Sequence, residues 1–122
     1  MTKSRGDNKI CLIVDDQPLV SLDLTFEFAR SGFKIAGPFV TCTEADKNLQ
    51  HRSVSIAIID KTDRDGSFER LYDALRAKKI PIIIHSGFDR AEFGSTIDNA
   101  CWLPKPVNID KLMSEVRRLL NA

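Results

Sequence analysis

The chain has 122 residues, 43% hydrophobic and 29% charged, which is the size of one domain with one core and excludes a disordered or fibrous protein. Lys and Arg number 18 against 17 Asp and Glu, a net charge of +1, so bulk electrostatics gives no case for nucleic acid or an anionic membrane as partner. No apolar run approaches the ~18 residues needed to span a bilayer and the start is polar, so a cytoplasmic location is expected.

Residues 1–8 read as a flexible N-terminal tail, leaving 9–122 as the folded domain. Ile10–Val14 (I-C-L-I-V) is a continuous apolar run that stops on Asp15 and Asp16, a buried strand followed by an acidic turn. Pro18 suits the first turn of a helix, and Leu19, Leu22, Phe26 and Ala29 recur at helical spacing until Gly32 closes it. Phe33–Phe39 predicts a second strand, which Gly37 and Pro38 consign to an edge of the sheet. A short helix is expected over Thr43–Leu49. Ser55–Asp60 (S-I-A-I-I-D) repeats the grammar of the first strand: a short β-branched run, buried on both faces, that ends on a lone carboxylate.

Ser67–Lys78 carries Phe68, Leu71, Ala74 and Leu75 on one face, an amphipathic helix, and Ile80–His85 is the next buried strand, stopping on Ser86-Gly87. Phe88–Asn99 predicts a short, poorly formed helix. Cys101–Leu103 is a last strand ending in Pro104-Lys105-Pro106, and Asn108 caps a final helix whose buried stripe is Ile109, Leu112, Met113, Val116, Leu119 and Leu120. Five strands alternating with five helices imply an α/β fold, a doubly wound five-stranded parallel sheet with helices on both faces. The three cysteines show neither disulfide nor zinc spacing; Cys11 and Cys101 are expected in the core, and Cys42 at a helix start. His51 and His85 lack any surrounding catalytic or metal pattern and read as structural or solvent-facing.

Strand ends on one side of a parallel sheet share an edge, so Asp15, Asp16, Asp60, Ser86 and Lys105 can converge despite their separation in sequence. Carboxylates within ~4 Å of one another repel by a few kcal/mol per pair at an effective dielectric of about 20, and a hard divalent cation, Mg²⁺ or Mn²⁺, offsets that. Side chains alternate along a strand, so Asp15 and Asp16 meet the ion differently, one directly and the other through water. A phosphoryl group on Asp60 would find a point charge in Lys105 and a hydroxyl donor in Ser86. Taken singly, each residue has a plainer role: a helix cap for the acids, a turn for Ser86 and Lys105, core packing for Trp102.

The ordered set I-V-D-D, I-I-D, H-S-G and P-K-P resembles the receiver domain of two-component response regulators over nearly the whole chain. The resemblance implies a flavodoxin-like sheet of order 2-1-3-4-5, for which a member of this family is a standing example. It also implies that Asp60 accepts phosphoryl from a phosphohistidine of a histidine kinase or histidine phosphotransferase. Asp15, Asp16, Asp60 and the backbone carbonyl of Thr62 would hold Mg²⁺, Ser86 and Lys105 would contact the phosphoryl group, and Trp102 would stand at the aromatic switch position. The Lys105–Pro106 peptide would be cis. Phe88, placed over the phosphoryl group with Thr62, would hinder attacking water, so a long-lived phosphorylated state with slow autodephosphorylation is expected.

Two features depart from the family pattern: the unusually charged loop Lys61-Thr62-Asp63-Arg64-Asp65-Gly66 and the short stretch between Ser86 and Lys105. The loop favours a rival reading, a pseudo-receiver that binds its partner without phosphorylation. A small-molecule phosphatase is disfavoured because no second acid stands two positions after Asp60 and no cap segment is present. In 122 residues no output domain is expected, so the signal is expected to pass by binding another, unidentified protein or by handing phosphoryl onward to a histidine phosphotransferase.

Overall fold

The apolar runs become the strands of one sheet. The computed structural model describes residues 9–60, 67–86, 101–104 and 108–121, without the side chains of Ser86 and Pro104. Its elements are β1 (Ile10–Val14), α1 (Pro18–Arg30), β2 (Lys34–Phe39), α2 (Cys42–Leu49), β3 (Ile56–Ile59), α3 (Phe68–Ala77), β4 (Ile82–Ser86), β5 (Cys101–Pro104) and α4 (Ile109–Asn121). The sheet order is β2-β1-β3-β4-β5, as the resemblance implies, and every pair is parallel, as the alternation of strand and helix predicts. β1, β3 and β4 are interior, and since a parallel sheet covered by helices has no solvated face their apolar residues are buried, except Ile10 at the start of β1, which is half-buried.

Alternation along the strands divides the core. Leu12, Val14, Ala57, Ile59, Ile82 and Ile84 pack under α2 and α3, while Cys11, Ile13, Ile56, Ile58 and Ile83 pack under α1 and α4. β2 is an edge strand as expected, and its register against β1 shifts between Leu12 and Val14. Gly37 sits at that shift with φ +107, where a Cβ would lie 2.8 Å from the carbonyl oxygen of Ile13, so only glycine is accommodated. The shift brings the Phe39 carbonyl to the amide of Asp15 at 2.9 Å. The one cis peptide among the described residues is Gly37–Pro38; Lys105–Pro106 lies outside them.

Local signals set the helix ends. Gly32 (φ 96) closes α1 in a Schellman turn: its amide bonds Ala29 at 3.1 Å, the Phe33 amide bonds Phe28 at 3.0 Å, and the two phenyl rings meet edge to face at 5.1 Å. Thr41 caps α2 by accepting from the Glu44 amide, and Asn108 caps α4 by accepting from the Lys111 amide. The stripe of α4 is as predicted, with Leu112, Met113 and Val116 buried and Ile109, Leu119 and Leu120 half-buried.

Three expectations are corrected or fall outside what is described. α1 does not bury the stripe Leu19, Leu22, Phe26 and Ala29: Leu19 is 78% exposed, Leu22 and Phe26 64%, and the core face is Ser21, Leu24 and Phe28. Both faces of α1 carry apolar residues, so spacing alone could not choose between them. Cys42 is buried while Cys101 is only half-buried, because β5 is an edge strand. The helix expected within Phe88–Asn99 lies outside the described residues, among which there are four helices.

Candidate functional site

The carboxyl ends of β1 and β3 deliver three acids to one place. Ligand atoms of Asp15, Asp16 and Asp60 lie within 4.8 Å of one another, with Asp15 and Asp60 buried and Asp16 half-buried. The register explains this. Val14 pairs with Ile59 and Ile59 with Ile84, so one residue further on Asp15, Asp60 and His85 occupy a single rung. The Asp60 amide bonds the Val14 carbonyl at 2.9 Å, which carries the ladder to that rung.

Asp15 is held from several sides. Its Oδ1 accepts from the Gln17 amide at 2.8 Å, its carbonyl accepts from Ser21 Oγ at 3.2 Å, and its amide donates to Phe39. Asp16, next along a chain that is leaving the sheet, lines a cleft of about 290 Å³ with Asp15, Pro18, Ser21, Leu22, Pro38 and Val40. The predicted convergence of Asp15, Asp16 and Asp60 is therefore found. Trp102 pairs with Ile84 across β4 and β5 and packs half-buried against the core under α2 and α3. Ser86 ends β4 opposite Pro104, but its side chain, together with Thr62, Phe88 and Lys105, lies outside what is described.

His85 was expected to be structural or solvent-facing. It is buried, and its Nε2 lies 3.3 Å from Oδ2 of Asp15, both side chains being at most 1% exposed. The pair is a close polar contact at a distance where a hydrogen bond is within reach of both groups. A signal for it was present in the sequence: His85 ends its apolar run just as Asp15 and Asp60 end theirs. His51 is exposed, as expected.

Three hard oxygen donors of mixed burial suit a small divalent cation, which uses one or two direct carboxylates and keeps several waters. No family model and no curated protein matches the chain. Solved structures do. The receiver domain of the Francisella response regulator 1452 is 26% identical over 93% of this chain and 98% of its own, with a TM-score of 0.75. A response regulator receiver protein from Sinorhizobium medicae superposes with a TM-score of 0.82 at 22% identity, covering 93% of this chain and 95% of that one. The chain has the fold of a response regulator receiver domain. Response regulator protein TrrA from Thermotoga maritima, solved in complex with Mg(2+)-BeF, is 24% identical with a TM-score of 0.77, covering 92% of this chain and 99% of that one. The described helices include none long and apolar enough to cross a membrane.

Proposed function

We propose that this receiver fold works as the receiver of a response regulator, a binding module switched by phosphorylation of Asp60. The observation that carries this reading is the meeting of Asp15, Asp16 and Asp60 within 4.8 Å at the carboxyl edge of the sheet. Buried like charges so close are costly without a cation, and a surface acidic turn would not bury two of its three members. The Mg(2+)-BeF complex of TrrA supports assigning that cation as Mg²⁺ or Mn²⁺.

In this reading one oxygen of Asp60 attacks the phosphorus of a phosphohistidine supplied by a histidine kinase or histidine phosphotransferase. The P–O bond forms as the P–N bond breaks, and the departing imidazole keeps the electron pair of that bond. Asp15, Asp16, Asp60 and the Thr62 carbonyl would hold Mg²⁺, which would supply charge neutralisation of the phosphoryl oxygens. Asp15, its Oδ1 already held by the Gln17 amide, and Asp16 both line the cleft, and one would ligate directly and the other through water. Lys105 and Ser86 neutralise and hydrogen-bond the acquired phosphoryl group. The added charge, roughly one further unit, biases Ser86 and Trp102 between two arrangements that an output protein distinguishes, while Phe88 slows hydrolysis.

The charged loop after Asp60 favours a second reading, a pseudo-receiver that binds without phosphorylation. Incubation with acetyl phosphate and Mg²⁺, followed by intact-mass measurement of wild type and Asp60→Ala, separates the two. One stable phosphate on wild type and none on the variant is expected. No addition to wild type would favour the pseudo-receiver.

A further inference from the structure

The rung that holds Asp15 and Asp60 has a third polar member that the acid-and-cation scheme leaves without a task. His85 follows the apolar residues of β4 in the same register, with β3 between it and Asp15. Neighbouring strands are ~4.8 Å apart, so the backbones of β1 and β4 are separated by roughly 10 Å and only long side chains bridge them. The imidazole does bridge them: Nε2 comes to 3.3 Å from Asp15 Oδ2 with both side chains excluded from solvent.

We propose that His85 is a positioning residue for the cation site, fixing the second oxygen of Asp15. Gln17 holds Oδ1 at 2.8 Å, so together the backbone amide and the imidazole set the plane of the carboxylate from opposite ends. Nε2 carries a proton in the imidazolium and in one neutral tautomer, so the donor does not depend on the charge of the ring. With Oδ1 held by the amide and the imidazole set 3.3 Å from Oδ2, the carboxylate presents its remaining lone pairs in one direction, and whatever it offers the cation, an oxygen or a bound water, would be fixed with it. Partners of this kind behind a metal-binding carboxylate typically contribute 10–100-fold to affinity.

This inference rests on the cation site proposed above, and its test reads binding alone. The Mg²⁺ dissociation constant of unphosphorylated protein is measured by calorimetry and by the fluorescence of Trp102, the one tryptophan. His85→Leu, which removes the donor, is expected to weaken Mg²⁺ binding by about tenfold or more. His85→Gln, whose amide can take the place of Nε2, should stay within about threefold of wild type. His85→Asn keeps an amide that falls short of Asp15, so it should bind as weakly as the leucine variant, and it stands in if leucine is not tolerated. Unchanged binding in His85→Leu or His85→Asn would overturn the role, as would His85→Gln binding as weakly as they do. Absence of saturable Mg²⁺ binding in wild type removes the cation site itself and this inference with it, a result distinct from any difference among the variants.

Discussion

Val14, Ile59 and Ile84 lie side by side across β1, β3 and β4, and one residue further along the same strands lie Asp15, Asp60 and His85. The two rungs share a backbone and are both buried, but they face opposite helical layers and are held in place by different forces. The apolar rung is stabilised by removal of its side chains from water and by close packing under α2 and α3. The polar rung sets carboxylates against one another in a medium that screens them poorly. The difference teaches that the first rung builds the second: strands packed tightly through Ile59 leave Asp60 no freedom to retreat from Asp15.

Substitution should therefore separate folding from chemistry within two adjacent residues. Asp60→Asn is expected to abolish phosphate incorporation from acetyl phosphate altogether, as read by intact mass, while the protein stays folded. Without Mg²⁺ its melting temperature should equal or exceed that of wild type by a few degrees, because one like charge has left the cluster. A large loss of stability instead would mean that Asp60 is a structural ion-pair partner. Ile59→Ala should do the reverse, costing about 2–5 kcal/mol in urea unfolding, the range for a fully buried aliphatic side chain cut to Ala.

A divalent cation should narrow the contrast by offsetting the repulsion in the polar rung. A ligand that binds only the folded state stabilises it by RT ln(1 + [L]/Kd), about 1.4 kcal/mol at ten times Kd. Mg²⁺ is expected to raise the melting temperature of wild type and Ile59→Ala by similar amounts and that of Asp60→Asn by less. Equal shifts in all three, measured at constant ionic strength, would assign the effect to salt rather than to the site.

How much of this was legible in the sequence depends on which force set each feature. The strands were readable because runs such as I-C-L-I-V and S-I-A-I-I-D allow little but burial, and both acids were conspicuous as charges ending apolar runs; the order of the strands came from the resemblance to receiver domains and not from the runs. His85 was read only as structural or solvent-facing: it ends its apolar run as the acids do, but its place on the rung of Asp15 and Asp60 is set by register, a tertiary property. The face of α1 was misassigned for a related reason. Leu19, Leu22 and Phe26 match the helical period as well as Leu24 and Phe28 do, and only the direction of approach to β1 decides between them. Phe26→Ser should accordingly change stability by no more than about 0.5 kcal/mol in urea unfolding, as for an ordinary surface position. A loss of several kcal/mol would restore that stripe to the core.

The smallest effect belongs to a polar contact on the edge strand, where solvent does what the cation does in the rung. Cys101 Sγ lies 3.6 Å from Glu115 Oε1, which also accepts from Arg118 at 2.6 and 2.9 Å. Burial first, and then the Glu115 charge, raise the Cys101 thiol above its ordinary range, while Arg118 holds Glu115 below the usual carboxylate range. The signs are opposite. The thiol's contribution to stability is complete below the unfolded thiol's pKa and is lost as pH rises through the higher folded value. That of Glu115 is present above the ordinary carboxylate range and is lost as pH falls through its lowered value. Glu115→Gln removes the charge from both, so Cys101 should react with iodoacetamide at pH 8 faster than in wild type, by no more than about threefold because the contact is solvent-screened. Site-resolved mass spectrometry can follow this with the buried Cys11 and Cys42 as references. An unchanged rate would assign the whole shift of the thiol to burial, and neighbouring charge would then govern Glu115 but not Cys101.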